Sequence, residues 1–190
     1  MNAIKQRFLF LLQSFLKPRQ MGAISPSSSR LSQAMVNAIS PDHSGFVLEL
    51  GGGTGSLTRQ LLLQIDPKKL IVMENNPVMA NQLRKKFPIC NIIELDAQGL
   101  SAFAKSKEIS SLNSILSGLP LRSLPQKVRD TILHSAFALL SAEGRFIQFT
   151  YGFKSPVPQR LLDQHHLRVS KKIFVLQNLP PATVWVYEKI

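Results

Sequence analysis

The sequence predicts an α/β fold in which a seven-stranded, mostly parallel sheet carries helices on both faces. The first indication is an apolar run at 46–50 that leads directly into a glycine turn and then into leucines at helical spacing. The second is that strand and helix patterns alternate five times along the chain. The third is that no helix separates the last two strand patterns, at 167–176 and 183–189. These two strands should therefore pair antiparallel.

The composition indicates one folded domain and an anionic partner. Of the 190 residues, 44% are hydrophobic and 18% are charged, which argues against disorder. The net charge is +12, and the excess lies at the two ends of the chain. Residues 1–41 carry five bases and no acid, and residues 145–190 carry seven bases against two acids. The single cysteine, Cys90, excludes an intramolecular disulfide.

Residues 1–16 place apolar side chains on one helical stripe, which Pro18 ends. Three interpretations compete: a helix docked on the protein's own core, a helix lying in a membrane surface, and a signal peptide. A signal peptide is disfavoured because Gln13 and Ser14 interrupt the apolar core. Phenylalanines and leucines interleaved with bases favour the membrane surface. We therefore expect an amphipathic membrane-binding helix at 1–20 and a single domain at 21–190, with no spanning helix.

The elements of the domain are predicted in order from start and stop signals. They are a helix from 26 to 39, a strand at 46–50, a helix after the glycine turn, a strand at 70–74, a helix at 77–87, a strand at 89–95, an irregular helix within 100–112, a strand at 113–117, a helix at 125–140, a strand at 145–151, a short helix at 159–164, and strands at 167–176 and 183–189.

The turn at 51–55 has the spacing G-x-G-x-G between a strand and a helix, as in a nucleotide-binding βαβ unit. Glycine suits such a turn because a side chain would keep a ligand away from the backbone. Thr54 is the predicted N-cap of the helix that follows.

Three acids accompany this turn: Glu49 within the first strand, Glu74 ending the second and Asp96 closing the third. A nicotinamide-binding domain would instead show G-x-G-x-x-G and one acid. Three acids at consecutive strand ends suit a cationic group, two ribose hydroxyls and an adenine amino group, as in S-adenosylmethionine. Alternatively, Glu49 only orients the turn and the other two only end strands. The predicted cofactor-binding residues are Glu49, Gly51, Gly52, Gly53, Thr54, Gly55, Glu74, Asn75, Asp96, Ala97 and Ser117.

The segment 48–55 resembles motif I of the seven-strand, Rossmann-like methyltransferases, with Gly52 where proline is frequent. Nearly the whole chain is similar to the bacterial phospholipid N-methyltransferases. The segments that carry this resemblance are 22–26 with Arg30, 117–121, 148–152, 155–158 and 178–185. The resemblance implies S-adenosylmethionine-dependent methylation of the amine of phosphatidylethanolamine, often successively to phosphatidylcholine. It also implies a cytoplasmic enzyme held peripherally on the inner leaflet of the membrane, with an anionic membrane surface and a phospholipid as its partners.

Ribosomal RNA adenine dimethylases also look related, but they carry an N-L-P-Y type motif and an added RNA-binding domain. The corresponding segment here, Ser117-Gly-Leu-Pro-Leu121, lacks the Asn and the aromatic residue that would hold a flat base. We therefore expect no nucleic-acid partner. Because the charge of +12 also suits a polyanion, a nucleic-acid adenine methyltransferase and a catalytically silent binding protein are kept as alternatives.

The acceptor site is predicted at the ends of the fourth and fifth strands. The candidate catalytic residues are Tyr151 and the segment Ser117, Gly118 and Leu119, whose carbonyls could orient an amine. Tyr151 could bind that amine through its hydroxyl or ring and could help to remove its proton through water, or it could instead be a core tyrosine. The candidate ligands of the lipid phosphate are Arg19, Arg30, Arg122 and Lys154, with surface charge as the alternative.

No metal is expected. His165 and His166 are neighbours that would point to opposite faces of a strand, and we predict surface positions for both. His43 and His134 form no constellation in the sequence.

Overall fold

The computed structural model describes residues 26–41, 45–178 and 180–190. The predicted N-terminal helix, Arg19 and His43 lie outside the described residues. The elements are α1 (Pro26–Val36), β1 (Val47–Leu50), α2 (Ser56–Leu61), β2 (Leu70–Glu74), α3 (Pro77–Lys86), β3 (Asn91–Glu94), a 3₁₀ turn (Ala97–Gly99), α4 (Leu100–Ser106), β4 (Leu112–Ser117), α5 (Gln126–Ala138), β5 (Leu140–Thr150), α6 (Gln159–Gln164), β6 (Leu167–Val175) and β7 (Ala182–Lys189).

The seven strands form one sheet in the order β3-β2-β1-β4-β5-β7-β6. Strand β7 is antiparallel to both of its neighbours, and the other pairs are parallel. The predicted fold class is confirmed. Because the strand order reverses between β1 and β4, the loops after these strands diverge and leave a crevice at the carboxyl edge of the sheet.

Both faces of the sheet are covered by helices, which explains why β1 and β2 are buried along their whole length and are apolar except for Glu49 and Glu74. Leu48 and Leu50 belong to the core on the side of α4, α5 and α6. Val47 and Val72 belong to the core on the side of α1, α2 and α3. In the first core, the Phe137 and Phe146 rings meet edge to face, with centroids 5.2 Å apart.

The bounds of several elements differ from the predicted ones. Helix α1 ends at Val36 rather than at 39, and β3 begins at Asn91 rather than at 89. The predicted helix within 100–112 is instead the 3₁₀ turn followed by α4, which stops at Ser106 shortly before the left-handed Glu108.

The largest difference lies at β5, which begins at Leu140 although the sequence predicts a start at 145. Leu140 pairs with Leu112, and the regular register with β4 resumes only at Arg145. Gly144 allows this irregular segment, because a Cβ there would lie 2.9 Å from the Ser141 nitrogen. The predicted helix 125–140 therefore ends at Ala138, since its last residues enter the strand.

The described residues contain no helix that is long and apolar enough to cross a membrane.

Phe137 offers a test of the packing. Replacing Phe137 with Ala should lower the free energy of unfolding by about 3–5 kcal/mol, because it leaves a cavity between α5 and β5. The control Leu63→Ala, at a side chain that is 73% exposed, should change it by no more than about 0.5 kcal/mol. Urea unfolding measures both, and equal values for the two variants would contradict this core.

Candidate active site

A cavity of about 450 Å³ opens at the carboxyl edge of the sheet, beside the crevice between β1 and β4. The glycine turn forms one wall. The loop 118–122 and the end of β5 form another, and Leu31, Ser32 and Met35 of α1 close the side. The cavity thus joins the predicted cofactor and acceptor regions in a single space.

The glycine turn is tightly packed on one side and open on the other. A Cβ on Gly52 would lie 2.6 Å from Val72 Cγ1 and 2.7 Å from Leu83 Cδ1, so that position has no room for a side chain. Gly53 faces open space but has φ of +51°, in the left-handed region. The predicted N-cap is wrong: α2 begins at Ser56 and its N-cap is Gly55, while Thr54 makes no capping bond.

Glu49 is fully buried and reaches the cavity from the middle of the sheet. Its Oε2 accepts a hydrogen bond of 2.7 Å from Thr58 Oγ1. Its Oε1 has no hydrogen-bond partner among the described residues. Burial raises the pKa of Glu49 to about 8, although the Thr58 hydrogen bond lowers it and the nearby Glu74 raises it further. A buried carboxyl oxygen without a partner is suited to a cation or a donor brought by a ligand.

Glu74 holds the loop in place from the end of β2. Its Oε2 accepts from the Gly53 nitrogen at 2.9 Å, and its Oε1 accepts from the Asn76 nitrogen at 2.8 Å. The carboxylate is nearly buried and also lines the cavity. It therefore links the glycine turn to the start of α3.

The predicted cofactor residues divide into two groups. Those that line the cavity are Glu49, Gly51, Gly52, Gly53, Thr54, Glu74 and Asn75. Those that do not are Gly55, Asp96, Ala97 and Ser117. Asp96 is exposed at the end of β3, where its Oδ1 accepts from the Gln98 nitrogen at 2.8 Å and caps the 3₁₀ turn. Ser117 Oγ instead accepts from the Leu119 nitrogen at 3.3 Å and shapes the acceptor loop.

On the acceptor side, Gly118 and Leu119 line the cavity as predicted. The Leu119 carbonyl accepts a 3.1 Å hydrogen bond from Nε2 of the buried Gln148 on β5. Gln148 does not itself line the cavity but holds the acceptor loop, and the sequence did not indicate this role. The only indication in the sequence is that Gln148 belongs to the segment 148–152, which carries the family resemblance.

Tyr151 lines the cavity and is half-buried, with its ring edge to face on Phe149 at 5.5 Å. Its hydroxyl interacts with the side chain of Asn178, whose Nδ2 also donates to the Pro180 carbonyl at 2.7 Å. Burial raises the pKa of Tyr151 well above its usual range. The hydroxyl therefore remains protonated at neutral pH, so it can donate or accept a hydrogen bond but does not serve as an anionic base. Asn178 is a second residue that the sequence argument left without a role.

Arg19 lies outside the described residues, and of the other three bases predicted to bind phosphate only Arg122 lines the cavity. Its Nη1 donates to the Lys154 carbonyl at 3.4 Å, while the Lys154 side chain is exposed outside the cavity. Arg30 is exposed on α1 and hydrogen-bonds the side chain of Gln177.

His166 is exposed, as predicted, whereas His165 is half-buried. His134 Nδ1 and His165 Nε2 lie 2.7 Å apart, so His134 and His165 are a pair rather than isolated surface residues. Burial first, then the neighbouring His134, lowers the pKa of His165. His166 has φ of +52° and lies in the turn before β6 rather than on a strand. Within 26–41, 45–178 and 180–190, no group of three or more potential ligands could hold a metal ion.

The sequence of this chain is similar to those of known proteins. Residues 27–128 match the family model described as ribosomal RNA adenine dimethylase. The ornithine lipid N-methyltransferase of Singulisphaera acidiphila is 30% identical over 184 residues, which cover 94% of this chain and 94% of that protein.

Solved structures share the fold at low identity. The 1,6-didemethyltoxoflavin-N1-methyltransferase of Burkholderia thailandensis, solved with S-adenosylhomocysteine, has a TM-score of 0.69 at 18% identity over 98% of this chain and 88% of that one. The magnesium protoporphyrin IX methyltransferase of Synechocystis has a TM-score of 0.69 at 13% identity over the full length of both chains.

These matches confirm the predicted fold and cofactor class. The chain belongs to the S-adenosylmethionine-dependent methyltransferases, in the family described as ribosomal RNA adenine dimethylase, and it is homologous over nearly its whole length to a lipid N-methyltransferase.

Proposed function

We propose that this N-methyltransferase acts on the primary amine of a zwitterionic membrane-lipid headgroup. The observation that carries the proposal is the composition of this cavity. It joins the free carboxyl oxygen of Glu49 to an apolar acceptor side with Tyr151, and Arg122 is the only basic side chain that the described residues contribute to its wall. The cavity can therefore accommodate a cationic group at Glu49, an amine near Tyr151 and an anionic group at Arg122. The lipid N-methyltransferase relative supports the same acceptor class.

The cofactor end of the cavity fits S-adenosylmethionine, which when bound supplies a methyl group on a positively charged sulfur. Glu49 would hold its cationic end, because a buried carboxylate with a free oxygen is stabilised by a positive charge. The glycine turn permits close approach to the backbone. Glu74 would bind the ribose hydroxyls with the lone pairs that its two backbone bonds leave.

The acceptor side positions an amine and excludes water. A lipid amine is protonated at neutral pH and must lose a proton before it attacks a methyl group. Since the Tyr151 hydroxyl is buried and remains protonated, the role of Tyr151 is to hold the amine by its ring face rather than to remove the proton. Leu31, Met35 and Leu119 surround the space with apolar surface, which keeps a neutral amine from being reprotonated by water.

Two lipid acceptors share the required chemistry. Phosphatidylethanolamine, the acceptor expected from the sequence, carries a primary amine and a phosphate. An ornithine lipid, the class that the relative's name gives, carries a primary amine and a carboxylate. Arg122 can bind either anion through its planar guanidinium group. The proposed acceptor is therefore a zwitterionic lipid headgroup, and the labelling experiment distinguishes phosphatidylethanolamine from an ornithine lipid.

Adenine methylation in RNA is the second candidate, because the family model matches residues 27–128. That segment ends within α5, before β5 and Tyr151, so it contains the cofactor half of the site and the loop 118–122. That loop holds no aromatic side chain for stacking on a base.

The first test offers labelled S-adenosylmethionine to the protein with vesicles containing phosphatidylethanolamine, vesicles containing an ornithine lipid, and RNA. We expect label in one or both lipids, with the Glu49→Gln protein as the inactive control. Label in RNA alone would overturn the lipid proposal, and label in one lipid alone would identify the acceptor.

The second test concerns the carboxyl group. Glu49→Gln should lower affinity for S-adenosylmethionine by about tenfold to a hundredfold, because a hydrogen bond to a charged group is lost. The cofactor-free variant should be at least as stable as the parent, because a poorly solvated acid has been removed. The matched control Glu94→Gln, at an exposed acid paired with Arg84, should leave calorimetric affinity unchanged. Equal affinity for the two variants would contradict the role of Glu49.

The third test is pH dependence. Because the cofactor's cation needs an ionised Glu49, affinity should rise with pH up to about 8 and be accompanied by proton release below that value. The stability of the cofactor-free protein should change in the opposite direction. A carboxyl whose pKa is raised from 4.5 to about 8 binds more protons when folded, so its contribution falls as pH rises through that window. Calorimetry and thermal unfolding measure both trends, and Glu49→Gln should remove both. If they persist in the variant, another group is responsible.

A further inference from the structure

Three large apolar side chains are exposed next to one another near the end of β6. Phe153 is 77% exposed, Phe174 is 50% exposed and Leu176 is 76% exposed. The Phe153 and Phe174 ring centroids lie 6.0 Å apart. We call this group, with the exposed Lys154 and Lys172, the aromatic corner. Clustered exposed apolar residues mark an interaction surface more often than single ones do.

Lys172 contacts both phenylalanines of the corner and the neighbouring Trp185. Its Nζ donates to the Phe153 carbonyl at 3.2 Å and lies 5.0 Å from the Phe174 ring centroid and 4.6 Å from that of Trp185. A cation held over aromatic faces keeps its charge at the surface beside the apolar group. The corner is therefore an ordered surface of mixed aromatic and cationic character.

The corner lies beside the mouth of the active-site cavity. Strands β5 and β6 are both antiparallel to β7, so their carboxyl ends point to the same edge of the sheet. Phe153 follows Tyr151 by two residues, and Tyr151 lines the cavity. Gln177, next to Leu176, hydrogen-bonds Arg30 of α1, the helix that forms the cavity's side wall.

The charged residues in the two segments that form the corner are all basic. Residues 151–158 and 171–177 contain three bases and no acid, namely Lys154, Lys171 and Lys172. A second copy of this chain is disfavoured as the occupant, because each copy carries a net charge of +12. Exposed aromatic and aliphatic tips with bases among them instead match the interface of an anionic bilayer.

We propose that the aromatic corner docks on an anionic phospholipid bilayer and places the cavity mouth against the lipid surface. This inference rests on the proposed function in one respect, since a membrane-lipid acceptor must enter the cavity from the bilayer. Phe153, Phe174 and Leu176 enter the headgroup region, while Lys154 and Lys172 meet lipid phosphates. The contact is additional to any made by residues 1–20.

The test uses the full chain and vesicles of phosphatidylglycerol and phosphatidylcholine. The double variant Phe174→Ser, Leu176→Ser should bind these vesicles about tenfold more weakly, because two apolar side chains no longer leave water. The control Leu63→Ser, Ile89→Ser alters side chains that are 73% and 70% exposed before β2 and β3, at the opposite edge of the sheet. It should bind like the parent. Undiminished binding by the corner variant would overturn the proposal and assign membrane contact to another segment.

Trp185 supplies a second, independent measurement. It is the only tryptophan in the chain and lies directly beneath Lys172 in the corner. Its fluorescence should be quenched by brominated lipid when the parent protein binds vesicles. Bound parent protein without quenching would overturn the proposal even if the variant binds weakly. Loss of self-association in the variant, with vesicle binding unchanged, would show that a second copy occupies the corner.

The methylation assay separates the two proposals. If the parent binds vesicles through the corner but labels only RNA, the proposed function fails and the docking surface remains. If the corner variant methylates detergent-dispersed lipid at the parental rate and binds vesicles as the parent does, the docking surface fails and the proposed function remains.

Discussion

The site depends on the burial of the Glu49 carboxyl group in β1, an interior strand of the sheet. This burial is energetically unfavourable. Strand β1 is hydrogen-bonded on both sides, by β2 and β4, so Glu49 cannot move toward water without breaking the sheet. One of its oxygens is satisfied by Thr58 on α2, and the other is left free at the cavity. A group in this position is costly for the empty protein and favourable when a cation binds. Between its two helical layers the fold thus keeps a buried carboxyl group that is mostly protonated at neutral pH in the empty protein and would ionise when a cation binds.

The two carboxylates at this end of the sheet have different tasks. Glu49 retains unused hydrogen-bonding capacity, whereas Glu74 bonds two backbone nitrogens and so fixes the turn. A carboxylate that already accepts backbone bonds is well oriented for further donors. The cavity is therefore organised by acids on the cofactor side and by Tyr151 and Arg122 on the acceptor side.

The fold and the cofactor side of the site could be predicted from sequence because their signals are local. The first buried strand, Glu49 and the glycine turn lie within the ten residues 46–55, and Glu74 ends the next strand pattern. Asp96, which follows the third strand, does not line the cavity. The start of β5 could not be predicted in this way, because it depends on the pairing of Leu140 with Leu112, which is distant in the sequence. The same holds for the His134–His165 pair and for the difference between Arg122 and Arg30. Which basic residue reaches the cavity depends on the paths of the loops, and the composition of the sequence does not indicate those paths.

The bond from Gln148 to the Leu119 carbonyl ties the loop after β4 to the neighbouring strand β5. The same Nε2 atom also donates to the Phe149 carbonyl at 2.8 Å, so one amide group contacts the backbone of both segments. Replacing Gln148 would therefore leave a carbonyl in the loop and a carbonyl in the strand without this donor at the same time. Acceptor choice in this fold should then depend on the loop and the strand together rather than on either one alone.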